Sequence, residues 1–269
     1  MSALKNYALA LAEEYAQNTG RVLPTLPDDP HQLWTLIGSL NAVRVPAEAG
    51  EELLALEEAA FTEYEPMMPP LAGLADASAA EGDYAGMYLW RGDITRLQVD
   101  GIVNAANSNL LGCFIPQHRC IDNAIHRAAG VGLRAECARE VAQRPMPEPT
   151  GSVMVTGAHR LPSRYVLHTV GPIIAGEVTE ADRQALASCY RSCLRAAIER
   201  GMRSVALCCI STGEFRFPQE EAARCAVETI REELGAARAA RQSVPAVVFN
   251  VFTERDEQLY AELLGLSQV

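Results

Sequence analysis

The chain has 269 residues, of which 49% are hydrophobic and 21% charged, and its formal net charge is −11. This composition is typical of a globular protein with a full hydrophobic core, and the acidic balance argues against a protein that wraps nucleic acid. No apolar run approaches the ~18 residues of a membrane span, and the eight irregularly spaced cysteines do not suggest a secreted disulfide scaffold, so we expect the reducing cytoplasm.

Residues 1–86 are predicted to form a helical extension. Apolar residues recur at helical spacing in the first twenty residues, in 31–40 and in 51–64. Prolines separate the first two helices, and a stretch rich in Pro, Ala and Gly up to residue 82 is typical of a connector. Because no metal-ligand or nucleophile pattern occurs here, we expect an extension packed on the main domain, with a lid or partner surface as the alternative.

Residues 87–269 alternate between strand-like and helical patterns. The strand-like runs are 87–90, 101–103, 152–156, 165–169, 204–210 and 246–252. The helical patterns begin near residue 121 and continue at 133–143, 179–200, from about 218, and at 254–264. This alternation predicts a three-layer α/β/α sandwich around a mixed, largely parallel sheet.

A polar loop separates the strand-like run at 101–103 from the helix predicted near residue 121. Asn104 and Asn107 offer both hydrogen-bond donors and acceptors, and the small residues between them let the backbone approach a ligand. Asp122 lies near the helix start, where the helix dipole favours a carboxylate. Polar residues between a strand end and a helix start indicate a ligand crevice of an open α/β sheet.

Within this loop, Cys113, His118 and Cys120 form a C-x4-H-x-C pattern. Two thiolates and one imidazole are good zinc ligands, and a set of three protein ligands leaves a position for water or substrate. The spacing alone leaves two alternatives open. The residues could be ordinary thiols and a loop histidine, or a fourth ligand such as Cys137 could make the zinc purely structural.

The order of several short motifs resembles the macrodomain family between about residues 89 and 260. The motifs are Gly92-Asp93-Ile94-Thr95, Val103-Asn104-Ala105-Ala106-Asn107, Ile121-Asp122 with Ile125-His126 and Ala128-Ala129-Gly130, Thr156-Gly157-Ala158, Leu167-His168-Thr169-Val170-Gly171-Pro172 and Ile210-Ser211-Thr212-Gly213. Where ordinary hydrolytic macrodomains carry a glycine-rich run, this chain has residues 112–120. In that respect it resembles the zinc-containing branch, whose members remove ADP-ribose from proteins.

The resemblance implies an ADP-ribose site. Asp93 would accept a hydrogen bond from the adenine amino group, beside the backbone of Ile94, and Phe252 would stack on the base. The alternatives are that Asp93 only caps a turn and that Phe252 is a core phenylalanine. The distal ribose would approach Asn104, Asn107 and the metal loop. The diphosphate would face residues 130–133 and lie on the turn formed by Ser211, Thr212, Gly213, Glu214 and Phe215. The Phe215 ring would lie over the diphosphate or a ribose, with loop packing as its alternative.

The implied activity is zinc-dependent hydrolysis that removes ADP-ribose from mono-ADP-ribosylated protein side chains. Asn107 would fix the distal ribose, and Asp122 would orient the attacking water or act as base. Its alternative is a helix-start cap or a hydrogen-bond partner that supports the metal ligands. A non-catalytic ADP-ribose reader with a structural zinc competes with this interpretation, as does a weaker hypothesis, a thiol switch formed by Cys113 and Cys120. In related systems a sirtuin-type transferase and a lipoyl-carrier target accompany such genes, so a lipoyl-carrier partner is implied by resemblance only.

Overall fold

The computed structural model describes residues 2–266. Its α-helices are α1 (Ala3–Thr19), α2 (Pro30–Val43), α3 (Glu51–Tyr64), α4 (Ile121–Ala129), α5 (Val131–Val141), α6 (Glu180–Glu199), α7 (Gln219–Ala239) and α8 (Glu254–Leu264). Its strands are β1 (Ala72–Gly73), β2 (Ser78–Ala79), β3 (Met87–Arg91), β4 (Leu97–Gln98), β5 (Gly101–Ala105), β6 (Val153–Gly157), β7 (Tyr165–Thr169), β8 (Ser204–Leu207) and β9 (Ala246–Val251).

The main sheet has the strand order β2-β3-β9-β8-β5-β7-β6. The two edge strands, β2 and β6, run antiparallel to their neighbours, and the five inner strands are parallel. The short strands β1 and β4 pair separately, in parallel. The predicted mixed, largely parallel sheet is therefore confirmed.

Helices cover the sheet and complete the sandwich. Helix α4 contacts β5 and α5 contacts β6, while α6 contacts β6, β7 and β8 and α8 contacts β3 and β9. Helix α7 packs against both α6 and α8. The inner strands are mostly apolar, and Ile102, Leu167 and Val247 are fully buried, as expected for parallel strands covered on both faces. Among the described residues, no helix has both the length and the apolar composition that a membrane crossing requires.

The N-terminal helices α1, α2 and α3 form a layer that packs beside α4 and α5. This layer has a small hydrophobic core of its own, which includes Leu4, Tyr7, Ile37 and Tyr64 and also takes in Val131 from α5. The predicted helical extension is thus present and is packed on the rest of the protein. The division into residues 1–86 and 87–269 stays a prediction.

A buried hydrogen-bond network joins the N-terminal layer to α5. The carboxylate of Glu57, which is 2% exposed, accepts from the hydroxyl of Tyr7 at 2.7 Å and from the backbone N–H of Val131 at 2.8 Å. The N–H of Val131 is therefore already used by the N-terminal layer, and the expectation that residues 130–133 face the diphosphate stays a prediction.

Two segments differ most from the predictions. Residues 66–82, expected to form a connector, contain β1 and β2, and β2 extends the main sheet. The strand predicted for 204–210 ends at Leu207, because the backbone leaves the sheet there to form the turn in which Ser211 has a φ of 65°.

Candidate functional site

The loops that carry the predicted site residues meet at one edge of the sheet. Strands β9, β8 and β5 are parallel neighbours, so their carboxyl ends lie side by side. The segments that follow them are Phe252, the turn at 211–217 and the loop at 106–120. This is the crevice in which open α/β sheets bind ligands.

Asp93 lies at the beginning of a short helical turn, Ile94–Arg96. Its Oδ1 atom accepts from the backbone N–H of Thr95 at 2.9 Å and from the Thr95 hydroxyl at 2.7 Å. Both of these bonds use one oxygen, so the side chain caps the turn and still presents Oδ2 for another donor. The capping role and the predicted adenine contact are therefore compatible.

The two phenylalanines of the last strand region have opposite environments. Phe249 is 1% exposed and belongs to the hydrophobic core, whereas Phe252, directly after β9, is 78% exposed. The core role thus falls to Phe249. An exposed aromatic ring at the carboxyl end of a strand is available for stacking on a base.

The turn after β8 presents unused backbone donors. It is closed by the N–H of Phe217, which donates to the carbonyl of Ser211 at 2.9 Å, and braced by the N–H of Ile174, which donates to the carbonyl of Phe215 at 2.8 Å. The N–H groups of residues 212–215 donate to no backbone carbonyl within residues 2–266. Successive free N–H groups in a turn that precedes a helix form an anion-binding cradle.

Asp122 is a buried carboxylate held by two amides. It is 4% exposed, and its two oxygens accept from the Nδ2 atoms of Asn104 at 2.8 Å and Asn107 at 3.3 Å. Burial raises the pKa of Asp122 to about 6, although both amides and the Arg134 charge oppose the rise. Asn107 also donates to the carbonyl of Gly112 at 3.1 Å, so it fixes both the loop and the carboxylate.

The hydrogen-bond chain continues from Asn104 into the core. Its amide also lies 3.1 Å from Nδ1 of His168, and Nε2 of that ring lies 3.0 Å from the Thr156 hydroxyl. Because the amide nitrogen can only donate, Nδ1 accepts and Nε2 carries the proton. Burial lowers the pKa of His168 to about 3, so the ring is neutral.

The three predicted metal ligands converge. The ligand atoms of Cys113, His118 and Cys120 all lie within 4.8 Å of one another, and the Cys113 sulfur is 3.5 Å from Nδ1 of His118. Zinc bonds of about 2.0–2.3 Å place the ligands of one ion at such separations. Burial raises the pKa of Cys120 to about 12, with Cys113 and Asp122 adding to the rise. A divalent cation would favour the thiolates, so this half-buried donor set fits zinc.

The loop that carries Cys113, His118 and Cys120 also meets the turn after β8. Nε2 of His118 lies 3.5 Å from Oε1 of Glu214, while Nδ1 faces the cysteine side. A carboxylate on the far nitrogen is the usual partner of a metal-binding histidine, since it orients the ring. The sequence did not indicate this contact, because the two residues lie far apart in the chain.

A second group of potential ligands lies in the core. His126, Cys137 and His168 have ligand atoms within 4.8 Å of one another, and all three are buried. Both ring nitrogens of His168 already form hydrogen bonds, so this group is better suited to a structural role. Cys137 belongs to this group, so within the described part of the chain the loop at 106–120 brings together three residues that could bind a metal.

Comparisons with known proteins identify the family. Residues 103–226 match the Macro domain family. A solved structure of the Oceanobacillus iheyensis macrodomain with ADP is 36% identical and has a TM-score of 0.58; the match covers 66% of this chain and 90% of that one. The chain belongs to the macrodomain family.

Two further relatives extend the match of this macrodomain beyond the family core. The Trypanosoma brucei macrodomain, solved in complex with ADP-ribose, is 29% identical with a TM-score of 0.65, and the match covers 84% of this chain and 95% of that one. The protein-ADP-ribose hydrolase of Treponema medium is 47% identical over 241 residues, which are 89% of this macrodomain and 90% of that protein. The resemblance to the macrodomain family is thus confirmed.

Proposed function

We propose that this macrodomain is a zinc-dependent hydrolase that removes ADP-ribose from mono-ADP-ribosylated protein side chains. The Treponema medium relative, named protein-ADP-ribose hydrolase, supports the activity, and the ADP-ribose complex of the Trypanosoma brucei macrodomain supports the ligand. One observation carries the zinc dependence. The ligand atoms of Cys113, His118 and Cys120 converge in the loop that leads into α4, where Asp122 lies.

The proposed binding mode follows the sheet edge. Adenine would lie between Asp93 with the Ile94 backbone on one side and the exposed ring of Phe252 on the other. The diphosphate would accept from the free N–H groups of residues 212–215, in the turn formed by Ser211, Thr212, Gly213, Glu214 and Phe215. The distal ribose would then approach Asn104, Asn107 and the metal loop.

Hydrolysis at the anomeric carbon develops positive charge on the ribose ring and negative charge on the departing oxygen. When bound, zinc would supply a Lewis acid that holds a ribose hydroxyl or acidifies the attacking water. We propose that Asp122 orients that water or acts as its base, since two amides fix its carboxylate. Asn107 would hold both Asp122 and the distal ribose. The modified protein is proposed only as a class, and a lipoyl carrier stays a prediction from resemblance.

The low exposure of Asp122 favours a second candidate function. A carboxylate that is 4% exposed and bound by two amides resembles a structural group more than an accessible base. The protein would then be a non-catalytic ADP-ribose reader in which zinc shapes the loop. Turnover is the property that separates the two functions.

The decisive experiment compares metal content, turnover and ligand affinity in the same variants. We expect Cys113→Ser/Cys120→Ser and His118→Ala to lose zinc and to lower the turnover of ADP-ribosylated protein on the order of 100-fold or more. ADP-ribose affinity, measured by calorimetry, should change much less, because most of the proposed contacts lie outside the loop. Cys225→Ser, which removes a half-buried thiol on α7, is the matched control and should behave as wild type.

Zinc content is measured by elemental analysis and turnover is repeated after chelation. Near-normal turnover by folded, verified metal-free protein would assign zinc a structural role. Absent turnover in zinc-loaded protein that binds ADP-ribose would instead support the reader. A rapidly formed disulfide between Cys113 and Cys120 in metal-free protein would support the thiol switch.

A further inference from the structure

A buried arginine of α5 contacts the metal loop, which we define as residues 112–120. The guanidinium carbon of Arg134 lies 4.1 Å from the centroid of the Phe114 ring. Arg134 is 4% exposed, whereas Phe114 is 43% exposed. A cation over an aromatic face gains about 0.5–1 kcal/mol at exposed sites and about 2 kcal/mol or more when desolvated.

The same guanidinium is anchored in the N-terminal layer. Nη1 of Arg134 donates to the carbonyl of Ala42 at 3.0 Å and lies 3.4 Å from the carbonyl of Arg44. These carbonyls lie at the C-terminal end of α2, where unpaired carbonyls and the helix dipole favour a cation. Arg134 thus connects the end of α2 to a residue adjacent to the metal ligand Cys113.

Two other contacts hold the loop from its remaining sides. The Asn123 amide of α4 donates to the carbonyl of Ile115 at 2.7 Å, and the Gln117 amide lies 3.4 Å from the Ser39 hydroxyl of α2. The loop is therefore supported by α4, α5 and the N-terminal layer together. The Arg134 contact joins a buried charged side chain to the aromatic residue next to Cys113.

We propose that Arg134 is a positioning residue, which fixes the metal loop to the C-terminal end of α2 so that the N-terminal layer sets the position of the ligands. Where it concerns zinc, this inference rests on the proposed function. The ordering of the loop itself does not, because neither Arg134 nor Phe114 is a proposed metal ligand.

The test is a double-mutant cycle with Arg134→Met and Phe114→Leu, which keep side-chain volume and remove the cation or the ring. Zinc affinity is measured by competition with a chelator, and hydrogen exchange of residues 112–120 is measured in metal-free protein. We expect each single variant to weaken zinc binding about 5- to 30-fold and to speed exchange in the loop. The double variant should bind zinc no more weakly, and exchange in the loop no faster, than the more strongly affected single variant. Ile115→Ala, which changes a 60% exposed neighbour, should match wild type.

Additive effects of the two substitutions would overturn the proposal, as would unchanged loop exchange in both variants. Arg134→Met leaves the Ala42 and Arg44 carbonyls without their partner. If that variant does not fold, Phe114→Leu decides the question alone. A wild-type protein that binds no zinc would refute the proposed function, while exchange in the metal-free loop would still test Arg134.

Discussion

Asp93 accepts both of its hydrogen bonds through Oδ1, from the N–H and the hydroxyl of Thr95. A substitution can therefore remove the proposed adenine contact and keep the cap. Asp93→Asn retains an oxygen for Thr95 and places an amide where the adenine amino group would donate. We expect Asp93→Asn and Asp93→Ala to weaken ADP-ribose binding roughly 10- to 100-fold, as the loss of one charged hydrogen bond would.

Calorimetry checks this affinity, and metal content should be unchanged in both Asp93 variants. Only Asp93→Ala should also lower the stability of the protein, by about 1 kcal/mol, since it alone removes the cap. Equal ADP-ribose affinity in wild type and Asp93→Asn would exclude Asp93 from the adenine site.

Phe252 and Phe249 provide a matched pair for the stacking hypothesis. Because Phe252 is 78% exposed, Phe252→Ala should leave stability within about 0.5 kcal/mol of wild type and weaken ADP-ribose binding about 5- to 150-fold. Phe249 is 1% exposed, so Phe249→Ala should cost about 3–5 kcal/mol of unfolding free energy. Urea unfolding and calorimetry measure the two effects, and unchanged affinity in Phe252→Ala would remove the stacking contact.

At the scale of elements, Gly130 joins α4 to α5 in a conformation that other residues avoid. Its φ is 77° and its ψ is −169°, and a Cβ there would lie 2.5 Å from Oε1 of Glu57. We expect Gly130→Ala to lower the free energy of unfolding by about 2–4 kcal/mol, through backbone strain and displacement of the Glu57 carboxylate.

Gly235 is the control for this substitution, because it lies within α7 and a Cβ there would meet nothing within 4 Å. Gly235→Ala should stabilise the protein by about 0.5–1 kcal/mol, as is usual inside a helix. Chemical unfolding measures both variants. Equal effects of the two would show that residue 130 can accept a side chain.

The elements could be predicted where local pattern decides them. Apolar spacing gave α3 as 51–64 and α8 as 254–264, the same bounds as in the structure. The strand predicted to end at residue 210 was too long, because apolar residues continue into the turn although pairing stops at Leu207. Residues 72–79 carry too little strand pattern to reveal β1 and β2, which tertiary pairing creates.

In the candidate site, too, contacts within one loop could be predicted and contacts between distant segments could not. The convergence of Cys113, His118 and Cys120 could be predicted because all three lie in one short loop. The contact between His118 and Glu214 joins distant loops, and that between Phe114 and Arg134 joins a loop to another helix. A single sequence contains no periodicity or spacing that reports such contacts.

At the scale of the whole molecule, His168 links stability to pH. The folded-state pKa is about 3, below the ordinary 6.5, because the ring is buried. Between these values the unfolded chain binds a proton that the folded chain does not. The contribution of His168 to the free energy of unfolding is therefore fully present above pH 6.5 and is lost as pH falls towards 3. The loss amounts to about 2 kcal/mol at pH 5, and buried His126, whose pKa is also lowered, adds to it.

Urea unfolding between pH 8 and pH 5 measures this loss. His168→Gln keeps polar atoms near Asn104 and Thr156 and has no titrating ring, so we expect lower stability with a shallower dependence on pH. The Cys137 sulfur, 3.8 Å from Nε2, stays neutral in this range. Asp122, whose pKa is raised to about 6, takes up a proton in the folded protein before the unfolded chain does and so opposes the loss. An equally steep acid loss in His168→Gln would assign the effect to other groups.

The N-terminal layer has its own small core and meets α5 through the buried Glu57 carboxylate. The layer therefore resembles a second subunit of a complex that happens to be part of the same polypeptide. The covalent connection then acts mainly by setting a high effective concentration of one partner around the other. Lengthening such a tether dilutes the partners only slowly. The association of the layer with the sheet is therefore governed by the complementarity of the two surfaces, and the chain between them contributes proximity.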